Sequence, residues 1–184
     1  MPKPQIRPGK LVDAQAIARI HTLSWQDTYK DIISADFLSK ISESGRTEMW
    51  KGILSQTSSN EKLVYTAWLD FELVGFVHCG PPRSQIEGSD CELYALYVKP
   101  EALRQGIGRA LFRTVASELK DRGYNKMFLW VLAKNPSTAF YESLGGHRGP
   151  PQMIKIGNDQ HEELSYVYEL AVFNSSLDYR KTSK

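Results

Sequence analysis

The sequence has no long apolar run. Its 184 residues are 41% hydrophobic and 24% charged, and no window approaches the roughly 18 unbroken apolar residues that a membrane-spanning helix requires. The first residues, from Met1 to Gln5, contain no apolar segment of the kind that secretory signals carry. We therefore expect a cytoplasmic protein without a membrane partner.

Cysteine and histidine are also scarce. Cys79 and Cys91 are the only two cysteines and do not form a C-x-x-C spacing, so we expect two reduced, buried thiols. The four histidines include no pair at the spacing of an H-E-x-x-H motif, and no cysteine array accompanies them. The sequence therefore predicts neither a disulfide framework nor a metal site.

Charge of one sign is not in excess. The sequence has 23 Lys and Arg residues against 21 Asp and Glu residues, a formal net charge of +2, and the basic residues are scattered. Modules that bind nucleic acid usually combine a basic patch with exposed aromatic residues. No nucleic-acid partner is therefore expected.

The hydrophobic pattern predicts a single α/β domain over residues 1–174 and a flexible polar tail over residues 175–184. We expect a mixed sheet of about seven strands flanked by four to five helices. The predicted strands are Gln5–Arg7, Lys62–Leu69, Leu73–Cys79, Cys91–Val98, Met127–Leu132, Met153–Ile156 and Leu164–Leu170. The predicted helices begin near Asp13, Ser34, Glu48, Ile107 and Asn135.

The most informative segment runs from Leu96 to Arg109, L-Y-V-K-P-E-A-L-R-Q-G-I-G-R. An apolar strand is followed by a turn with Gly106 and Gly108 and by an amphipathic helix that Gly123 should end. A helix start presents unpaired N–H groups and the positive end of the helix dipole, so glycines there let a pyrophosphate approach. By itself the pattern is equally typical of a tight strand-to-helix turn. No G-K-[ST] completes a P-loop, and Leu111 replaces the third glycine of G-x-G-x-x-G.

Three segments of the sequence resemble the GNAT superfamily of N-acetyltransferases. They are E-L-Y-A-L-Y-V at Glu92–Val98, R-Q-G-I-G-R at Arg104–Arg109 and N-P-S-T-A-F-Y-E-S-L-G-G at Asn135–Gly146. The stretch S-W-Q-D-T-Y-K at Ser24–Lys30 resembles the first-helix region of a bacterial branch of the family. The resemblance extends from Gln5 to about Leu170. It implies the mixed central sheet of this family and transfer of an acetyl group from acetyl-CoA to an amine.

The resemblance also implies where acetyl-CoA binds, with no metal. The family signature (Gln/Arg)-x-x-Gly-x-(Gly/Ala) places Leu103 where the family has Gln or Arg, so a side-chain contact is missing, while backbone N–H groups do most of the cradling. The pantetheine arm is expected between the central strand and its diverging parallel neighbour. The predicted cosubstrate-binding residues are Leu96, Tyr97, Val98, Arg104, Gln105, Gly106, Ile107, Gly108, Arg109 and Asn135. Asn135 can also be interpreted as the N-cap of a helix whose first residue is Pro136.

Amine acetylation needs a proton acceptor for the amine and a proton donor for the departing thiolate. Glu92 is the sole carboxylate in an otherwise apolar strand, and burial raises the pKa of a carboxyl group, so we predict Glu92 as general base. The alternatives are a strand-end surface residue or a partner for a nearby arginine. Tyr141 matches the tyrosine that donates to the CoA sulfur in the family, and the alternative is an aromatic ring packed against the sheet.

Trp25 and Tyr29 lie one helical turn apart, and the resemblance places their shared face at the acceptor mouth, although both are equally compatible with a core position. Cys91 precedes Glu92 and so points to the opposite side of the strand, which favours direct attack in a ternary complex over a covalent intermediate.

The identity of the acceptor stays open among polyamines, aminoglycosides, amino acids, other small amines and protein N-termini. We expect a small-molecule amine, with a homodimer through the C-terminal strands possible. The alternative function is a catalytically weak acyl-CoA-binding sensor or interaction module.

Overall fold

The computed structural model describes residues 3–56, 62–86 and 88–173. Within these residues the chain forms eight strands and five α-helices, which confirms the expected α/β class and mixed sheet. The strands are β1 (Gln5–Pro8), β2 (Leu63–Leu69), β3 (Glu72–Gly80), β4 (Cys91–Val98), β5 (Lys126–Leu132), β6 (His147–Arg148), β7 (Gln152–Ile156) and β8 (Asp159–Glu169). The helices are α1 (Ala14–Thr28), α2 (Ala35–Ser39), α3 (Glu43–Ser55), α4 (Ile107–Asp121) and α5 (Thr138–Ser143). The predicted tail at 175–184 lies outside the described residues.

The strands follow the order β1-β2-β3-β4-β5-β8-β6, and β7 pairs with β8. Neighbouring strands run antiparallel except β4 and β5, which run parallel. A parallel pair needs a crossover connection, and α4 supplies it. The start of α4 therefore lies at the end of β4, beside the junction of the two parallel strands.

The sheet has helices on both faces. One face carries α4, whose apolar stripe packs in a core that includes Leu111, Val115 and Leu119. The other face carries α1 and α3, with Ile17 and Trp50 among the core residues. No helix among the described residues is long and apolar enough to cross a membrane.

The end of α4 confirms the prediction made for Gly123. This residue has a φ of +88°, which favours glycine. The Gly123 N–H donates to the carbonyl of Lys120 at 2.9 Å, and the Tyr124 N–H donates to the carbonyl of Leu119 at 3.1 Å. This pair of bonds is a Schellman motif, which satisfies the last carbonyls of the helix.

Two predicted capping residues have different partners from those expected. Asp13 was expected to cap α1, but its carboxylate accepts the Lys10 N–H at 2.8 Å and pairs with Arg7 at 2.9 Å, so it holds the turn before α1. Asn135 was expected to start α5. Its Oδ1 accepts the Ser137 N–H at 2.8 Å and closes a separate turn, and α5 begins only at Thr138.

The start of α3 also differs from the prediction at Glu48. The helix begins at Glu43, because the Ser42 hydroxyl accepts the Gly45 N–H at 3.1 Å and caps its first turn. The first turn of this helix has few apolar residues, so the hydrophobic pattern did not predict it.

The central feature of the sheet is the separation of β4 from β5. Their described pairing covers Cys91–Leu93 opposite Met127–Leu129 and ends there. On its other side β4 pairs with β3 through a register shift, in which Tyr94 is the additional residue. A bulge of this kind bends the strand. The rest of β4 therefore diverges from β5 and leaves a gap between two parallel strands.

Candidate active site

A groove of about 860 Å³ lies where β4 and β5 separate. Four segments line it: the end of α1 with the residues that follow, β4, the turn into α4, and β5 with the chain leading to α5. The gap between the strands and the first turn of α4 therefore belong to one continuous groove.

The turn into α4 is shaped by its two glycines in different ways. Gly106 has a φ of +78° and precedes the first residue of the helix, and a Cβ built on it meets nothing within 4 Å. Its conformation therefore requires glycine, and the space beside it is open. A Cβ on Gly108 would lie 3.2 Å from Cζ of Phe140, so this glycine lets α5 approach α4 closely.

The first turn of α4 can hold an anion. Its leading N–H groups have no partner within the helix, and they carry the positive end of the helix dipole. Arg104 and Arg109 also line the groove, and a guanidinium nitrogen of Arg109 donates to the Ser143 hydroxyl at 3.3 Å. Leu103, at the position where the family has Gln or Arg, lines the groove with 53% of its surface exposed.

Gln105 is the exception among the residues predicted for this turn. Its side-chain amide donates to the carbonyl of Glu101 at 3.2 Å, and the residue does not line the groove. Leu103, Arg104 and residues 106–109 all do.

The predicted pantetheine residues Leu96, Tyr97 and Val98 also line the groove. They follow Leu93, the last residue of β4 that pairs with β5 in the described structure. The β4 backbone is therefore free of β5 at these three positions, which is the arrangement that the resemblance implied.

Four side chains predicted from the sequence form two hydrogen-bonded pairs that adjoin each other. The indole N–H of Trp25 donates to the Tyr97 hydroxyl at 2.9 Å, and the Asn135 amide donates to the Tyr29 hydroxyl at 3.0 Å. Tyr29 and Tyr97 lie close enough for each phenol to affect the pKa of the other. Burial raises the pKa of both tyrosines. Both hydroxyls therefore stay protonated at neutral pH and join α1, β4 and the turn before α5.

Tyr141 lines the groove from α5 and is 8% exposed. Burial raises its pKa, and the neighbouring Tyr29 raises it further, so the phenol is a neutral O–H donor at physiological pH. Its ring packs beside Phe140 and Tyr166, with centroid separations of 5.3 and 6.1 Å. Tyr141 therefore packs against neighbouring aromatic rings and also lines the groove.

Glu92 is 1% exposed and does not line the groove. One carboxylate oxygen accepts the Arg83 N–H at 2.7 Å, and the other accepts two guanidinium N–H groups of Arg83 at 2.6 and 3.1 Å. The arrangement matches the alternative in which Glu92 is the partner of a nearby arginine. The role of general base remains a prediction for this residue.

The sequence reasoning missed Glu163. This carboxylate lies in β8, is 9% exposed and accepts a hydrogen bond from the Gln152 amide at 2.6 Å. The predicted strand began at Leu164, whereas β8 begins at Asp159, so Glu163 was left outside every predicted element. The sequence signal that could have identified Glu163 was its position directly before the apolar strand predicted at Leu164–Leu170.

No group of three or more His, Cys, Asp or Glu side chains within residues 3–56, 62–86 and 88–173 is placed to hold a metal ion.

Comparison with known proteins assigns the family. Residues 18–146, more than half of the chain, match the model of the Acetyltransferase (GNAT) family. The chain belongs to this family. It is 40% identical over 160 residues to YuaI of Bacillus subtilis (strain 168), described as an uncharacterized N-acetyltransferase, which covers 86% of this chain and 89% of that protein.

A sequence comparison and a structural comparison also match this GNAT protein to Thermoplasma acidophilum. The spermidine N(1)-acetyltransferase is 27% identical over 133 residues, covering 71% of this chain and 80% of that protein. The crystal structure of the PaiA N-acetyltransferase in complex with coenzyme A superposes with a TM-score of 0.73 and 25% identity, covering 91% of this chain and all of that chain. The protein is therefore an acetyl-CoA-dependent N-acetyltransferase.

Proposed function

We propose that acetyl-CoA binds in the groove and that its acetyl group passes directly to a primary amine of a small molecule. The separation of β4 from β5 after Leu93 carries this proposal. The gap would take the pantetheine arm and α4 the pyrophosphate. A thioester at the end of that arm would then lie beside Tyr141, which can protonate the departing thiolate.

Direct transfer is supported by the state of the two thiols. Cys91 is fully buried in the core on the α4 side, and burial raises the pKa of its thiol to about 12. Burial also raises the pKa of Cys79. A cysteine nucleophile needs a lowered pKa and access to its substrate. Neither thiol meets these conditions, which favours attack by the amine itself in a ternary complex.

A small acceptor is supported by the contacts that close the acceptor side. The turn between β7 and β8 lies against α2, where a Cβ on Gly157 would be 3.1 Å from Cδ2 of Phe37. Ile154 and Ile156 of β7 pack against the cluster that contains Tyr29. The hairpin therefore covers the end of α1, and an extended polypeptide would have little room there. A polyamine is compatible with this enclosure, and one relative is named as a spermidine acetyltransferase.

The experiment is a panel of amines with acetyl-CoA, measured by release of the CoA thiol. We expect micromolar binding of acetyl-CoA by calorimetry and turnover with at least one polyamine or other small primary amine. Initial rates with both substrates varied should give intersecting lines, as a ternary complex requires, whereas parallel lines would indicate a covalent intermediate. Binding without thiol release from any amine would support the alternative, an acyl-CoA-binding module.

A further inference from the structure

Two buried carboxylates lie on the face of the sheet that carries α1. Glu92 is the register partner of Phe128, and Glu163 is the register partner of Leu132. Side chains two residues apart in a strand share a face, as do directly paired residues of neighbouring strands. Phe128, Trp130 and Leu132 of β5 therefore separate Glu92 from Glu163 on one surface.

The partners of the two carboxylates differ in charge. Glu92 is held by the backbone N–H and the guanidinium of Arg83, so both of its oxygens are engaged by one positively charged residue. Glu163 accepts from the neutral amide of Gln152, and within the described parts of the chain it makes no ion pair. Arg83 therefore engages both oxygens of Glu92 with a positive charge nearby, whereas the donor to Glu163 is a neutral group.

Glu163 also lies near Tyr29, the groove residue to which Asn135 donates. Its register partner Leu132 belongs to the same packed cluster as Tyr29, and the charge of Glu163 acts on the Tyr29 phenol. Neither Leu132 nor Glu163 lines the groove, so Glu163 lies behind its acceptor side, within reach of one bridging water.

We propose that Glu163 is the general base of the reaction and that Glu92 instead orders the loop after β3 through Arg83. This inference rests on the proposed transfer to a small amine. Through one bridging water, the Glu163 carboxylate takes a proton from the acceptor ammonium, and the freed lone pair forms the C–N bond at the acetyl carbonyl carbon.

The remaining proton transfers balance the step. As the C–S bond breaks, the Tyr141 O–H protonates the thiolate, and the phenol regains the proton that the new amide nitrogen loses. The proton on Glu163 then leaves to water. The products are the N-acetylated amine, CoA and one proton.

The surroundings of Glu163 suit a base that works near neutral pH. Burial raises its pKa and the charge of Glu92 on β4 raises it further, while the Gln152 hydrogen bond and the charge of Arg83 lower it. Tyr29, at the end of α1, is neutral.

The decisive experiment compares Glu163→Gln with Glu92→Gln on the best amine of the panel, with kcat/KM measured from pH 6 to 10. At pH 7 we expect Glu163→Gln to lose at least about 10²-fold, the lower range for general base catalysis. The loss should shrink at high pH, where the amine is already neutral. Glu92→Gln should lower the profile by the same factor at every pH. A Glu163→Gln profile parallel to the parent's, or a narrowing gap in Glu92→Gln alone, would overturn the proposal.

Rescue by a small carboxylate adds a readout that a structural role would not give. Added formate should raise the activity of Glu163→Ala at least tenfold and should leave the activity of Glu92→Ala unchanged. Absence of rescue in a Glu163→Ala protein that still binds acetyl-CoA counts against the proposal. If the parent turns over no amine, the proposed function fails and this inference fails with it, whereas an active parent with an unaffected Glu163→Gln rejects the inference alone.

Discussion

The two ends of the groove are built in different ways. The end at α4 is made from one short stretch of chain, Leu103, Arg104 and residues 106–109, and offers mainly backbone N–H groups. The acceptor end is made from side chains at the end of α1, in β4 and in the turn before α5, including Tyr29, Tyr97 and Asn135. Trp25 donates to Tyr97, and the charge of Glu163 in β8 acts on Tyr29. A backbone-built end depends on conformation and space, whereas a side-chain-built end depends on chemical groups. Substitutions at the first should change affinity for acetyl-CoA, and substitutions at the second should change turnover or the KM of the amine.

The largest expected effect is at Tyr141. The change Tyr141→Phe removes one hydroxyl and keeps the ring, so turnover should fall by about 10² to 10⁴, the usual contribution of a general acid, while acetyl-CoA affinity stays the same. Thiol-release assays and calorimetry measure the two quantities. The control is Tyr166→Phe, since the Tyr166 hydroxyl donates to Glu142 and the residue does not line the groove. A loss below threefold in Tyr141→Phe would show that Tyr141 only packs.

The second effect concerns the backbone-built end. We expect Gly106→Val to weaken acetyl-CoA binding at least tenfold, about 1.4 kcal/mol, because the side chain enters the open space beside the helix start and the φ of +78° is unfavourable for valine. Gly123→Val provides a matched control, because its φ is +88° and its Cβ also meets nothing within 4 Å, at the far end of α4. Both variants should lose stability, and only Gly106→Val should lose affinity in calorimetry. Equal affinities would contradict a phosphate site at this turn.

A smaller effect is expected at the acceptor end. Trp25→Phe removes the N–H that donates to Tyr97, and a typical hydrogen bond contributes about 1 kcal/mol, so the KM of the amine should rise about fivefold. The acetyl-CoA dissociation constant should not change. Trp68→Phe is the control, since the Trp68 indole donates to Thr66 on β2, away from the groove. If only the acetyl-CoA dissociation constant increased, Trp25 would act at the acetyl-CoA end of the groove and not at the acceptor end.

The smallest effect is expected for the arginines of α4. Arg109 lines the groove, whereas Arg113, one turn further along the helix, is exposed and does not. Arg109→Gln should weaken acetyl-CoA binding about threefold, a modest value because exposed charge pairs contribute about 0.2–1 kcal/mol. Arg113→Gln should leave binding unchanged. The difference between the two variants should decrease with added salt, and a salt-independent difference would exclude an electrostatic contribution from Arg109.

The same contrast decides how much the sequence could predict. The turn into α4 was predictable because its function depends on residues adjacent in the chain: glycines, the preceding strand and the helix stripe together define it. The end of α4 at Gly123 followed for the same reason. The departure of β4 from β5 was implied only by the family resemblance, because nothing in an apolar strand shows where its pairing ends.

The acceptor end was less predictable because its groups meet only in the folded chain. Glu92 was identified as an isolated carboxylate in an apolar strand, but its partner Arg83 lies in a loop with no pattern of its own. Glu163 is separated by most of the chain from Tyr29, whose environment it shares. Periodicity predicts which face of a strand is buried, but not which charges meet on that face.

The short parallel pairing between β4 and β5 has a consequence for how the sheet responds to its cosubstrate. Three register pairs join these strands, whereas six join β3 to β4 and seven join β5 to β8. The sheet thus consists of two antiparallel halves held by a narrow seam and by α4. A ligand that hydrogen-bonds to both β4 and β5 across the gap would connect the two halves of the sheet. A ligand that binds only the native state also raises the free energy of unfolding. Saturating acetyl-CoA should therefore slow backbone amide exchange in both halves together.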